Sequence, residues 1–353
     1  MKIALITDTH WGARGDSVAF AAYFNRFYND IFFPYLEANG IKRIFHLGDI
    51  VDRRKYINFV TARHLRKFVE YCNTQGIDLD VIIGNHDTAF KNTNEVNSMN
   101  ELFSHSNFNV NYYSDPTDIE IDGTKIAVLP WVCSGNYEQS MDFLRNTPAQ
   151  ILFGHLEIQG FEMYKGAVND HGFETNLFGK FDTVLSGHFH HKSTKGNISY
   201  LGAPYEMTWS DYNDPRGFHI FDTDTRELTF IQNPYTMFNK VFYNDTDITM
   251  DDLLNFDADK YKGTFVKVIV KTKNNPYWFD RFIDKLEKAE VLDLQVVDDN
   301  LNLNLDDDSD IVDEAEDTLT ILKKYVDQIE TTVDRKKLNG FLNELYNEAI
   351  NVE

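Results

Sequence analysis

The stretch IKRIFHLGDIVDRR, Ile41 to Arg54, decides the fold of this chain. Its first half is an apolar run of strand character. Its second half sets two carboxylates, Asp49 and Asp52, beside two arginines, Arg53 and Arg54. A plain surface turn carries such residues, and so does a metal site at the end of a strand. Whether other strands end in matching groups separates the two readings.

They do. Upstream, KIALITDTH stops at Asp8 and His10. Downstream, LDVIIGNHD stops at Asn85, His86 and Asp87, AQILFGH at His155, and FDTVLSGHFHH at His188, His190 and His191. In open α/β sheets the carboxyl ends of the strands line the functional crevice, so groups far apart in sequence converge there. In an extended chain, residues two apart face the same side. Asp8 and His10 are therefore expected to grip one ion together, and His188 and His190 to serve one metal each. The donor set is carboxylate, imidazole and amide oxygen without thiolate, which suits Mn²⁺, Fe or Zn²⁺ with an open position better than a structural cysteine site. Two such ions sharing a carboxylate form a clamp for in-line attack on phosphorus. His46 lies inside a strand and reads as a core residue. His64 reads as part of a solvated helix face, and His105, His171 and His219 lack ligand-like spacing.

The segments between the runs set the architecture. SVAFAAYFNRFYNDIFFPYLEANG has helical periodicity closed by Gly40, and INFVTARHLRKFVEYCNTQG is a second helix closed by Gly76. Strand, helix, strand, helix, strand implies a parallel sheet buried on both faces. DIEIDGTKIAVLPW then reads as a hairpin turning at Asp122 and Gly123. NISYLGAP and GFHIFDTDTRELTFIQN add further strands. The expected fold is α/β: a β-sandwich flanked by helices over residues 1–235, then a small α+β cap over 240–297. In that cap TFVKVIVKT and VLDLQVV are strands and YWFDRFIDKLEKAE a helix. Residues 298–318 hold ten acids and no Lys or Arg, the composition of a self-repelling flexible linker. Residues 319–353 show two amphipathic helices. Leu319, Leu322, Val326 and Ile329 share one face, and Leu338, Phe341, Leu342, Leu345 and Tyr346 the other. Such faces are buried by docking on this chain or in the groove of a partner.

The 353 residues, 42% hydrophobic, are enough for a sizeable core. The net charge of -22 excludes a free-standing protein that coats nucleic acid non-specifically. Half of that excess, -11, falls in the last 56 residues, so the body is only mildly acidic. Cys72 and Cys133 fit no metal or redox spacing. No apolar run reaches the length of a membrane span, and MKIALITDTH is not a signal peptide, so a cytoplasmic protein is expected.

The ordered set D-x-H, G-D-x-x-D, G-N-H-D, G-H and G-H-x-H over residues 8 to 190 resembles the calcineurin-like metallophosphoesterase superfamily. The resemblance implies two divalent metal ions, Mn²⁺ with Mg²⁺ as the alternative. It implies that Asp8, His10, Asp49 and His190 hold the first ion, and Asp49, Asn85, His155 and His188 the second. His86 is then the catalytic group that protonates the leaving oxygen or steadies the phosphate, and Asp87 orients it. Within the superfamily the chain is similar to the SbcD-type DNA repair nucleases, and most of all to the subunits of T-even bacteriophage recombination endonucleases. GHLEIQGFEMYKG, YLGAPYEMTWSDYNDPRGF, the cap and the terminal helix pair carry that likeness. It implies double-strand exonuclease and single-strand endonuclease activity on DNA ends in recombination and repair. It further implies an SbcC-type ABC ATPase gripped by the C-terminal helices, a homodimer, and action in the cytoplasm of an infected host. Members of this family carry a catalytic His where this chain has Asp52, which is expected instead to support a ligand histidine. Arg53 and Arg54 are expected to contact phosphate or cap the adjacent helix.

Two other function classes compete. GDIVDRR is similar to the Ser/Thr phosphatase motif G-D-x-V-D-R-G, which points to a phosphoprotein or small-molecule phosphatase. Arg54 in place of the last Gly, and Asp87 in place of the usual Glu, speak against it. The third class is a DNA-end tether with a vestigial site, against which the intact ligand set argues.

Overall fold

The computed structural model describes residues 1–298 apart from Asp247. The acidic linker, but for Asp298, and both C-terminal helices lie outside the described residues. Residues from Met1 to Met207 and from Asp211 onward belong to one compact unit.

Two six-stranded sheets face each other. The first runs, in spatial order, Leu228–Gln232, Gly217–Asp222, Lys2–Ile6, Arg43–His46, Asp78–Ile82, Val110–Tyr113. Its last four strands are parallel, joined through helices, and its first two form an antiparallel hairpin against Lys2–Ile6. The second sheet runs Ser193–Lys195, Ile198–Tyr200, Thr183–Gly187, Ile151–His155, Thr124–Leu129, Thr117–Ile121, with four parallel strands at its centre. Strand alternation builds the core between them. Ile3, Leu5, Phe45 and Ile82 of one sheet meet Ile126, Val128, Ile151, Phe153 and Leu185 of the other. The opposite face of the second sheet, Ala127, Leu129, Leu152 and Val184, packs on Met141 and Leu144 of the helix Tyr137–Asn146. Both faces are covered, so the strands read as continuous apolar runs. The Thr117–Ile121/Thr124–Leu129 hairpin turns at Asp122 (φ 51°) and Gly123 (φ 76°), the left-handed pair that a two-residue hairpin requires.

The first long helix departs from expectation. It is helical over Val18–Phe27, widens to a π-turn over Tyr28–Phe32, and resumes over Phe33–Ala38. Pro34 has no N–H to donate to the carbonyl four residues back, and its ring crowds that carbonyl, so the helix widens just before it. The second helix spans Phe59–Thr74, with the Asn58 side chain accepting from Val60 N at its start.

The α+β unit after the sandwich holds one more strand than its sequence suggests. Phe238–Asn244 pairs in parallel with Phe265–Thr272, which pairs in parallel with Asp293–Asp298. The helix Pro276–Lys288 covers this sheet with Phe279, Phe282 and Leu286, which pack with Val241, Tyr243, Val266 and Val268. Asn239, Lys240 and Asn244 break the apolar pattern of the first strand, which concealed it. The unit is fastened to the sandwich by the buried Glu206 carboxylate, which accepts from Met237 N at 2.6 Å and Phe238 N at 2.9 Å. Phe20 also packs against Phe238 and Phe265. No described helix is long and apolar enough to cross a membrane.

Candidate metal centre

The five strand ends meet at one edge of the sandwich. Side chains of Asp8, His10 and His190 form one cluster able to hold a metal ion, and Asp49, His155 and His188 form a second. The Asn85 amide oxygen joins the second, 2.9 Å from His155 Nε2 and 3.0 Å from His188 Nδ1. Asp49 stands between the two. Its Oδ2 is 3.3 Å from His155 Nε2 and 3.9 Å from His10 Nε2. His10 Nε2 and His190 Nε2 face each other at 3.1 Å, and Asp8 Oδ1 lies 4.0 Å from His190 Nε2. Asp8 is fully buried, and so are His155 and nearly all of Asp49.

The way Asp8 and His10 converge differs from the extended geometry expected of D-x-H. Asp8 (φ 51°), His10 (φ 41°), Asp49 (φ 54°) and His188 (φ 90°) all have left-handed backbone. Such angles are uncommon outside glycine and cluster at functional sites. The loops are held there by backbone bonds from Asp8 N to Gly48 O and from His10 N to Asp49 O. The recurrent glycines reflect close approach. A Cβ on Gly48 would overlap the His155 ring, and one on Gly84 would overlap Asp49.

Asp87 does something other than orient His86. Its buried carboxylate accepts four backbone amides: Asp49 N and Gly84 N on Oδ2, Ile50 N and Val51 N on Oδ1. It pins the loop that carries Asp49 to the loop that carries Asn85. The His86 ring is set instead by the Asp52 carbonyl, 2.6 Å from its Nδ1, while His86 N donates to Asp49 Oδ1 at 2.7 Å. One His86 nitrogen also lies within the cluster of His10 and Asp49. The Asp52 carboxylate is 3.4 Å from His10 Nδ1, the support expected of it.

Electrostatics follow from this crowding. Burial opposes charge on His10, but Asp52, Asp49 and Asp8 outweigh it and hold the imidazole up at about 9. His155 is likewise held at about 9 against burial, chiefly by Asp49. Burial would raise the Asp49 carboxyl, yet His155 and His86 keep it well below the usual carboxylate range. Burial, with His155 beside it, drops His188 to about 3, and burial with His10 beside it puts His190 well below an ordinary imidazole. Burial and then Asp49 raise Asp87 to about 6, against the pull of its amide donors.

These residues fit a pair of divalent cations. Neutral imidazole and carboxylate lone pairs are aimed at one another at short range, an arrangement that protons satisfy poorly and cations satisfy well. Several contributors were not recognised from the sequence. Thr7 Oγ1 donates to Asp8 Oδ2, and the Leu47 carbonyl accepts from His155 Nδ1. Arg216 is paired with Asp211 and Asp214, and it also donates to the His190 carbonyl. Asp214 in turn holds His191 Nδ1 at 2.9 Å. Only the NDPRGF segment hinted at this last group. His46 is a core residue bonded to Thr9, and His171 is exposed. His64 is partly covered, stacked on Trp11 and bonded to Asn25.

Residues 1–192 match the family model described as calcineurin-like phosphoesterase. The chain is 35% identical over 317 residues to exonuclease subunit 1 of Enterobacteria phage T4, covering 89% of this chain and 90% of that protein. It is 24% identical over 212 residues to the SbcD component of the SbcCD nuclease of Staphylococcus saprophyticus, covering 52% of this chain and 55% of that one. A solved archaeal phosphodiesterase aligns with 66% of this chain and 100% of its own at 14% identity, with a TM-score of 0.31.

Proposed function

The chain belongs to the calcineurin-like phosphoesterase family as a metal-dependent phosphodiesterase of the nuclease kind, and on that premise we propose that it is a two-metal DNA nuclease. Its reactions are exonucleolytic on double-stranded ends and endonucleolytic on single strands, in recombination and end processing. The observation that carries this reading is the convergence of five strand ends on Asp49, in a chain similar over nearly its whole length to a phage exonuclease subunit.

Asp8, His10, Asp49 and His190 hold the first ion, and Asp49, Asn85, His155 and His188 the second. Four imidazoles among seven ligands favour Mn²⁺ over Mg²⁺, which prefers all-oxygen shells. When bound, the ions lower the pKa of the attacking water and neutralise charge growing on the phosphate. His86 gives its Nδ1–H to the Asp52 carbonyl, which leaves Nε2 to pass a proton to the departing oxygen. Asp52 steadies His10, and Asp87 fixes the two ligand loops.

In this reading residues 240–297 contact DNA, residues 298–318 are a flexible tether, and residues 319–353 bind an SbcC-type ABC ATPase in the cytoplasm of an infected bacterial host. Sharing the DNA with that partner accommodates a subunit of charge -22. Two copies pair through the start of the Phe59–Thr74 helix. Phe59 there is 94% exposed, beside an apolar groove of about 250 Å³ lined by Trp11, Ala21, Ala22 and Val60. A knob next to its own hole suits a two-fold interface.

Cleavage of end-labelled linear duplex DNA in Mn²⁺, alone and with the ATPase and ATP, tests the reading. Degradation that the partner increases and EDTA abolishes is expected. Rapid hydrolysis of a simple phosphomonoester without DNA cutting would replace it with a phosphatase. Deleting residues 319–353 should release the ATPase and leave the metal centre folded. Undiminished affinity after that deletion would end the assignment of the helices.

A further inference from the structure

The two arginines that follow Asp52 have different surroundings. Arg53 is engaged: its Nη1 lies 3.3 Å from Asp16 Oδ2 and 2.8 Å from the Tyr56 hydroxyl, and its guanidinium lies over the Tyr56 ring. Arg54 is partly buried. Its Nη1 is shut off from solvent and makes no hydrogen bond, and no carboxylate among the described residues pairs with it. Buried guanidinium groups are ordinarily paired, because stripping water from an unpaired charge is costly.

The charges that act on Arg54 are those of the metal centre. Burial pushes its pKa down, while Asp49 and then Asp87 pull it up. Neither carboxylate is free to serve as its counter-ion. Asp49 accepts from His86 N and stands between the two ligand clusters, and Asp87 is committed to four amides. Loading the centre with cations would cancel much of the Asp49 pull and leave Arg54 beside more positive charge. The missing partner is therefore an anion that arrives at the same edge. Arg54 is also two residues from Asp52, whose carbonyl fixes His86, so its side chain starts next to the group that faces the leaving oxygen. A planar fork of donors suits the non-bridging oxygens of a phosphodiester.

We propose that Arg54, and not Arg53, binds a phosphate oxygen of the substrate strand at the metal centre. The inference rests on the phosphodiesterase reading above, and it names the residue that holds the substrate while the metals act.

The test is calorimetric binding of inorganic phosphate to the full-length, Mn²⁺-loaded protein and to its Arg54→Ala and Arg54→Lys variants, with manganese content measured in each. Steady-state cleavage of a duplex oligonucleotide is run beside it. R54A is expected to keep its manganese, to bind phosphate at least about tenfold more weakly, and to show its loss mainly in KM. R54K should recover part of the phosphate affinity, since it restores charge but not the fork. Equal phosphate binding by R54A, or no phosphate binding by the wild type, overturns the proposal. Loss of manganese from R54A also overturns it, because Arg54 would then belong to the ligand scaffold. If the wild type fails to cut DNA, the nuclease reading falls, while the phosphate comparison still decides the role of Arg54.

Discussion

The carbonyl oxygen of Asp52 lies 2.6 Å from Nδ1 of His86. The same residue places its carboxylate 3.4 Å from Nδ1 of His10. Asp52 thus acts on the expected proton donor through its backbone and on a ligand histidine through its side chain. The position where relatives carry a catalytic histidine is used here for alignment.

Substituting the two residues should separate these roles. His86→Ala is expected to lower single-turnover DNA cleavage by roughly 10²–10⁴-fold with both metals retained. Asp52→Asn leaves the carbonyl in place, so His86 keeps its tautomer. It should weaken Mn²⁺ binding by about tenfold or more, and cleavage should recover at saturating Mn²⁺. If D52N stays as inactive as H86A in saturating metal, the division of labour is wrong.

Asp87→Asn tests the carboxylate that accepts four amides. An Asn amide group would point a donor at backbone donors and strand at least one buried N–H. The expected loss is about 3 kcal/mol or more of stability, seen as a lower melting temperature, together with weaker metal binding. The pH profile of the residual activity should keep its shape, because Asp87 does not touch the His86 ring. A shifted acidic limb in D87N would restore the role that its position after His86 suggests.

Much of the centre was legible in the sequence because every ligand follows an apolar strand. Parallel strands bring such ends to one edge whatever the loops between them do. What stayed hidden depends on loop conformation. The left-handed turns at Asp8 and His10 produce the convergence that an extended D-x-H was expected to give. The amide cage around Asp87 needs the Asp49 loop and the Gly84 turn folded against each other. Adjacent arginines look alike in sequence, and only Asp16 and Tyr56 distinguish Arg53 from Arg54. The strand Phe238–Asn244 was missed because two asparagines and a lysine interrupt it, and its partner strand supplies the burial that its own pattern lacks.

Metal binding should be linked to pH with a definite sign. His10 and His155 hold protons up to about 9, and a cation must displace both. Mn²⁺ binding near neutral pH is therefore expected to release about two protons, and affinity should rise with pH until about 9. Calorimetry in buffers of differing ionisation enthalpy reads this directly. Metal should also raise the melting temperature, since it binds only the folded site, by about 2.7 kcal/mol at a hundredfold excess over Kd. Affinity that is flat across neutral pH would show that these histidines are already deprotonated.

Glu206 gives a second pH dependence, away from the metals. Burial, helped by the nearby Asp211 carboxylate, raises it to about 7 against the pull of the Phe238 and Met237 amides. Its folded value lies above the ordinary 4.5, so the folded chain holds this proton more tightly than the unfolded one. The stabilisation is complete below about 4.5 and is lost as pH rises through about 7, on the order of 3 kcal/mol in all. Glu206→Gln keeps an acceptor for both amides and does not titrate. The wild type should therefore lose melting temperature relative to E206Q between about pH 5 and pH 8, and hydrogen exchange at Met237 and Phe238 should quicken over the same range. Parallel melting curves for the two proteins across that range would mean that Glu206 is ionised throughout, with its two amide bonds enough to hold the charge.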